Sequence, residues 1–226
     1  MNPSIRSSTT PLPPSYPARP INGGPLPKAQ PKHGRWYYEP KLNGWRAWVH
    51  PRTGRMFNRE NQPLSITTEF TPVLERLQVH ARHLPEWLDV EALSRRVPVG
   101  KGSLILLDAL IPGTYVERQD CLYRIFDERG LGLSWAFEQF PPPANELLRL
   151  AYCYEDIASE IAGGAVIVDP DNDPAAAWER LQQVNRALKC ELFEGLVAKR
   201  ADSLYPLQLR SPDVEFPFWM KHRWRW

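Results

Sequence analysis

Lys41 is the residue whose setting most suggests chemistry. It stands in Glu39-Pro40-Lys41-Leu42-Asn43-Gly44-Trp45-Arg46, just before a tight glycine turn. A lysine becomes a nucleophile where desolvation or neighbouring cations lower its pKa. Gly44 permits a backbone shape, or a close ligand approach, that a side chain would block. Pro40 lacks an N–H, so its strand cannot be fully laddered there, and its carbonyl is left to accept from a ligand. Three other segments carry unusual charge. Leu88-Asp89-Val90-Glu91 alternates acidic and apolar residues. Glu194-Gly195-Leu196-Val197-Ala198-Lys199-Arg200 reads as a buried strand flanked by Glu194 and Lys199, whose burial is costly without a partner or ligand. Trp219-Met220-Lys221-His222-Arg223 is aromatic and basic. Taken singly, each also reads as an ordinary strand or hairpin with charged ends.

The elements that must position these residues are mixed α and β. Residues 36–50 alternate aromatic and polar residues, which suits strands broken at Asn43-Gly44, and 54–60 reads as a further hairpin arm. Residues 68–84 have apolar residues near helical spacing, with Thr68 or Thr71 as cap and Pro72 in the first turn. Strands are expected at 87–93 and 103–110, the second buried on both sides, and a helix at 115–128. Residues 147–154 read as a strand, 175–189 as a helix and 195–199 as a strand.

The 226-residue chain is long enough for one sizeable core, or one core plus an arm. Nine of its 24 prolines fall between Pro3 and Pro31, so residues 1–22 are expected as a disordered or extended arm and 23–226 as the folded domain. The net charge of +2 does not by itself announce nucleic acid. No apolar run is long enough to cross a bilayer, and the N-terminus lacks a signal-peptide core. Cys121, Cys153 and Cys190 suit neither a disulfide framework nor a zinc knuckle, so a reducing, cytoplasmic setting is expected. His80 and His83 have no flanking ligands and read as part of a solvated helix face.

In order, the segments resemble those of the covalent nucleotidyltransferase superfamily: ATP-dependent DNA ligases, RNA ligases and mRNA capping enzymes. Lys-x-Asp-Gly-x-Arg is matched from Lys41 to Arg46, an arginine strand-turn at Arg59, and Asp-Gly-Glu loosely at Asp89-Val90-Glu91. The strand ending in Asp108 and the Tyr115-Val116-Glu117-Arg118 helix start follow. Glu-Gly-Leu-Val-x-Lys is matched throughout at 194–199, with Ser203 and Tyr205 after it, and the closing Trp-x-Lys-x-Lys at Trp219, Lys221 and Arg223. The resemblance spans roughly residues 23 to 226.

It implies an α+β fold: an ATP-grasp-like nucleotidyltransferase domain of antiparallel sheets flanked by helices. It also implies an ATP-dependent DNA ligase core using ATP and Mg²⁺ on nicked duplex DNA, with RNA as the alternative acceptor. Lys41 would attack the α-phosphate and carry AMP. Lys199 and Lys221 would neutralise that phosphate and depress the pKa of Lys41. Glu91 and Glu194 would hold the ribose and the metal. Arg46 and Arg59 would bind ribose and the acceptor's 5′-phosphate, while Glu39 and the Pro40 carbonyl would read the adenine amino group.

The match departs in places. Asn43 replaces an aspartate, Val90 a glycine and Arg223 a lysine, and Leu106 and Leu107 stand where an aromatic is expected. Only Trp224, Arg225 and Trp226 follow the last match, so no C-terminal OB-fold is expected and one would have to come from a partner in trans. Asn43 keeps an RNA ligase in view. A capping guanylyltransferase and a non-catalytic nucleotide- or nucleic-acid-binding module are the further alternatives.

Overall fold

The structure is a computed structural model, and it describes residues 11–26, 31, 33–97, 101–127 and 174–224. Two four-stranded sheets dominate. The first has strand order β1 (Arg19–Asn22), β8 (Glu215–Arg223), β7 (Phe193–Arg200), β2 (Trp36–Leu42). The second has order β4 (Arg55–Phe57), β3 (Trp45–His50), β5 (Leu88–Leu93), β6 (Ser103–Ala109). All pairings are antiparallel except β1 with β8. Among the described residues the α-helices are α1 (Thr71–His80), α2 (Tyr115–Asp127) and α3 (Pro174–Leu188).

Alternation along the strands separates two faces of each sheet. In the first sheet, Trp36, Tyr38 and Leu42 join Leu196 and Ala198 in a core against Leu181 and Val184 of α3. In the second, Ala47, Val49, Leu88, Val90 and Ala92 pack with Val73, Leu74 and Leu77 of α1 and Leu122 of α2. A third cluster ties the sheets together: Trp48 of β3 and Trp219 of β8 pack with Ala18, Phe57, Trp87 and Tyr205. The faces left over carry the charges.

Asn43-Gly44 is where the chain leaves one sheet for the other. β2 pairs with β7 and β3 with β4 and β5, so the expected break between strands is a crossover rather than the bend of a hairpin. Gly44 is required there, because a Cβ would lie 2.7 Å from the Ala92 carbonyl oxygen and 2.8 Å from Glu91 Cγ.

The expected helices at 68–84 and 115–128 are present in shortened form and the one at 175–189 is shifted by one residue, while the strand expected at 195–199 is longer and those at 54–60, 87–93 and 103–110 are shorter. Two details differ. Phe70 occupies the cap of α1 with no side-chain hydrogen bond, and Thr71 Oγ1 donates backwards to the Thr68 carbonyl at 3.0 Å. Pro72 does sit in the first turn. Packing also begins before residue 23. Ser15 and Ala18 are buried, Trp48 Nε1 donates to the Ser15 carbonyl at 2.9 Å, and Arg19–Asn22 form β1. Proline density predicts poor burial but does not register a neighbour offering a free strand edge. The strand expected at 147–154, Cys153 and the last two residues lie outside the described residues.

Candidate active site

Strand register gathers the predicted residues on one face of the first sheet. Glu39 and Lys41 of β2 lie across from Val197 and Gly195 of β7, which lie across from Lys221 and Arg223 of β8. Lys199 and Trp219 complete the row beside Tyr37. Glu194 joins them through a bulge, since the register passes from Lys41↔Gly195 to Leu42↔Phe193 and leaves Glu194 unpaired. Gly195 makes the bulge possible. Its φ is +149°, and a Cβ would fall 1.8 Å from the His222 carbonyl oxygen.

Two charge groups occupy this face. In the first, Lys41 Nζ donates to Glu194 Oε2 at 2.5 Å, and Arg223 Nε lies 3.4 Å from the same oxygen. Lys221 nearby is held below the ordinary lysine range, first by burial and then by the positive charges of Arg19 and Arg223, with Glu215 opposing. In the second, Lys199 pairs with Glu39 at 2.7 Å and donates to the Leu107 carbonyl at 3.2 Å. Tyr115 donates to Glu39 Oε1 at 2.5 Å. Lys199 also sits 4.4 Å from the Trp219 ring centroid. Burial raises the pKa of Glu39 and Lys199 opposes it. The Tyr115 hydroxyl is pushed well above its usual value by burial and by Glu39. Glu39 and the Leu107 carbonyl thus engage two of the three Lys199 N–H donors.

The second sheet contributes Glu91. Its Oε1 accepts the Gly44 N–H at 2.8 Å, which ties it to the Lys41 turn. Burial pushes its carboxyl up to about 7 against the pull of Lys41 and Arg46, and the charge of Glu194 adds to the rise. Arg46, across from Glu91 in the ladder, turns to Asp89: Nε donates to Oδ1 at 2.9 Å and a terminal nitrogen to Oδ2 at 2.5 Å. Its other terminal nitrogen meets the Ala18 carbonyl at 2.5 Å, and Tyr205 donates to Asp89 at 2.8 Å. Asp108 and Arg118 form a second fully buried clamp at 2.8 and 2.9 Å. Arg59 lies apart from these groups on the turn after β4, exposed, with its guanidinium 2.5 Å from Glu60. Asn43 faces solvent, its amide donating to the Glu191 carbonyl at 3.0 Å.

Glu91 and Glu194 are within electrostatic reach of each other and of Lys41. No cluster of three or more His, Cys, Asp and Glu exists among the described residues. A carboxylate pair without a closed cage fits Mg²⁺, which keeps several waters and takes further ligands from substrate phosphates. Sequence reading placed Tyr115 only at a helix start. Its contact with Glu39, 76 positions away, has no local signal. The same holds for the Leu107 carbonyl, which the register shift in β6 presents to Lys199.

The two four-stranded sheets and their helices make a fold shared with a solved ligase domain. The ligase domain of M. tuberculosis LigD superposes with a TM-score of 0.50 at 16% identity, over 92% of this chain and 60% of that one. A mycobacterial DNA ligase D complexed with ATP and MES gives 0.49 at 17% identity, with the same two coverages. A chain described as Pmar-Lig_PreS3 gives 0.48 at 17%, over 84% of this chain and 42% of that one. This chain therefore spans about 60% or less of the length of these structures. No protein-family model and no curated protein matches the sequence.

Proposed function

We propose that the chain is the catalytic domain of an ATP-dependent DNA ligase, joining 3′-hydroxyl and 5′-phosphate ends through a lysyl-AMP intermediate on Lys41. The observation that carries the reading is the convergence of Lys41, Glu194, Arg223 and Lys221 on one sheet face, with Glu91 tied to the same turn. In the first step the Lys41 nitrogen bonds to the α-phosphorus of ATP. The bond to the bridging oxygen breaks, and pyrophosphate departs with the electron pair. The ammonium proton has an acceptor in Glu194, 2.5 Å away. Cations on the face neutralise charge as it shifts to the leaving group.

Glu39 and the Pro40 carbonyl receive the adenine amino group, with Leu106, Leu107 and Val197 as aliphatic neighbours of the base. Glu91 and Glu194 would hold Mg²⁺, which supplies charge neutralisation at the phosphates when bound. Lys199 offers its remaining N–H to the phosphates. Arg46 orders the Glu91 strand through Asp89, and Arg59 offers an exposed guanidinium to the acceptor's 5′-phosphate. AMP then passes to that 5′-phosphate, and a 3′-hydroxyl displaces it on nicked duplex DNA.

The test is intact mass after incubation with ATP and Mg²⁺. One added AMP on the wild type, removed by pyrophosphate and absent in Lys41→Ala, is the expected result. Folded wild type that stays unmodified would sink the reading in favour of a binding module. Nicked DNA against nicked RNA, offered to the adenylylated protein, identifies the acceptor.

A further inference from the structure

Glu39 is a buried carboxylate whose two oxygens are served unequally. Lys199 Nζ lies 2.7 Å from Oε1, and the Tyr115 hydroxyl donates to the same oxygen at 2.5 Å, while among the described residues no hydrogen bond reaches Oε2. The Glu39 side chain is only 3% exposed. A buried carboxylate oxygen without a donor is costly, and a ligand N–H would relieve that cost. Tyr115 is held firmly for its contact. Thr114 and Glu117 form a reciprocal capping box at the start of α2: the Thr114 N–H donates to Glu117 Oε2 at 2.7 Å, and the Glu117 N–H to Thr114 Oγ1 at 3.4 Å. Arg118 then clamps the helix to Asp108 of β6 at 2.8 and 2.9 Å. The Tyr115 ring is fully buried, its centroid 5.8 Å from that of Tyr37.

We infer that Tyr115 is a positioning residue that sets base selectivity: its hydroxyl, with the Lys199 ammonium, occupies Glu39 Oε1 and leaves Oε2 as an acceptor-only edge for an amino donor. The inference rests on the adenylylation reading, in which Glu39 receives the adenine amino group, and adds to it a residue that acts through Glu39. An ionised carboxylate only accepts hydrogen bonds, whereas a protonated one also donates. The ionised form therefore suits adenine, whose 6-amino group donates, and repels a 6-oxo purine, whose oxygen accepts. Opposing influences meet on that proton. Burial raises the pKa of Glu39 and the charge of Asp108, itself paired with Arg118, adds to the rise, while Lys199 from β7 and the Tyr115 hydroxyl from α2 lower it. Without the hydroxyl, the carboxyl takes a proton more readily and presents a donor to a 6-oxo base. A site built on a hydrogen bond to one substrate group rejects the analogue lacking it, so the loss falls on selectivity and not on rate alone.

The experiment compares wild type with Tyr115→Phe, each offered ATP or inosine triphosphate in separate reactions, with adduct formation followed by intact mass against nucleotide concentration. Melting curves first check folding; if Tyr115→Phe does not fold, Tyr115→Met, which also lacks the hydroxyl and whose flexible chain fills irregular space, takes its place. The preference for ATP, as the ratio of apparent second-order rate constants, should fall roughly tenfold in the variant, as for one lost charge-assisted hydrogen bond. It should fall further in the variant than in wild type as pH is lowered from about 8 to 6, because the less supported carboxyl protonates first. A preference that stays within about twofold of wild type at every pH, whatever happens to the rates, would overturn the inference and leave Tyr115 a packing residue. If the wild type forms no adduct with either nucleotide, the adenylylation reading fails instead. Calorimetric titration with AMP and IMP then decides the role of Tyr115 separately: a weaker preference for AMP in the variant supports it, and an equal preference, or no binding of either, refutes it.

Discussion

Two regions hold most of the charge in this molecule, and they are built differently. Asp108 with Arg118, and Asp89 with Arg46 and Tyr205, are closed sets. Each carboxylate receives paired donors, and the nitrogens left over reach backbone carbonyls of Ala18, Gly113 and Ser203. The face around Lys41 is open: one glutamate oxygen serves two cations, Arg223 Nε lacks a hydrogen bond, and Glu91 is a half-buried acid raised to about 7. Buried charge survives without a ligand only when fully satisfied. The closed sets are therefore architecture, and the open set is where a ligand would repay the cost of assembling it. The sequence motifs draw no such line, since Arg46 and Asp89 sit in matched segments as surely as Lys41 does.

The strongest way to break this comparison is to remove one cation from each region. Arg118→Ala leaves Asp108 buried and uncompensated, which should cost about 3–5 kcal/mol of folding stability. Arg223→Ala relieves crowding beside Lys221 and removes a half-exposed side chain, so its cost should stay within about 0.5 kcal/mol while its adenylylation falls. Urea midpoints of the two variants supply the comparison. Similar losses in both would mean that the Lys41 face is structural too.

Acid titration sharpens the distinction. The folded-state pKa of Glu91 lies above its unfolded value of 4.5, at about 7. The folded protein therefore holds this proton where the unfolded chain has lost it, and stability falls as pH rises from about 4.5 through 7. Glu91→Gln removes that dependence, so its melting temperature should gain on wild type across the same window. A constant difference between the two from pH 5 to 8 would show that Glu91 is ionised throughout and that the open set is less strained than the geometry suggests.

How much of this was legible in the sequence depends on range. Strands and helices followed from local periodicity, and the matched segments singled out Lys41, Glu91, Glu194, Lys199 and Lys221 as candidates. The crossover at Asn43-Gly44 was hidden, because a glycine turn looks the same whether the chain folds back or changes sheets. The seating of residues 15–22 was hidden too. Proline content describes what a segment can bury alone, whereas Arg19–Asn22 are held by the edge of β8, nearly 200 positions later. Tyr115 and the Leu107 carbonyl converge with Glu39 and Lys199 only through tertiary packing, and the fate of Arg46 depended on an Ala18 carbonyl that no pattern marks.

Asn43 tests the boundary between the regions with the smallest expected effect. It lies two residues from Lys41, yet its amide donates to the Glu191 carbonyl at 3.0 Å while its backbone N–H meets the Leu192 carbonyl at 3.0 Å. Both bonds stitch the crossover to the start of β7, and an aspartate could make only the second. Asn43→Asp would place a carboxylate against a carbonyl oxygen in solvent, for a loss of about 1 kcal/mol. If Asn43 is purely a stitch, lysyl-AMP formation should stay within about threefold of wild type, because a loss of that size in the crossover leaves the Lys41–Glu194 contact standing. A tenfold or greater gain in adenylylation would instead make Asn43 part of the open set. The exchange of aspartate for asparagine would then be a change in catalysis rather than in how two sheets are joined.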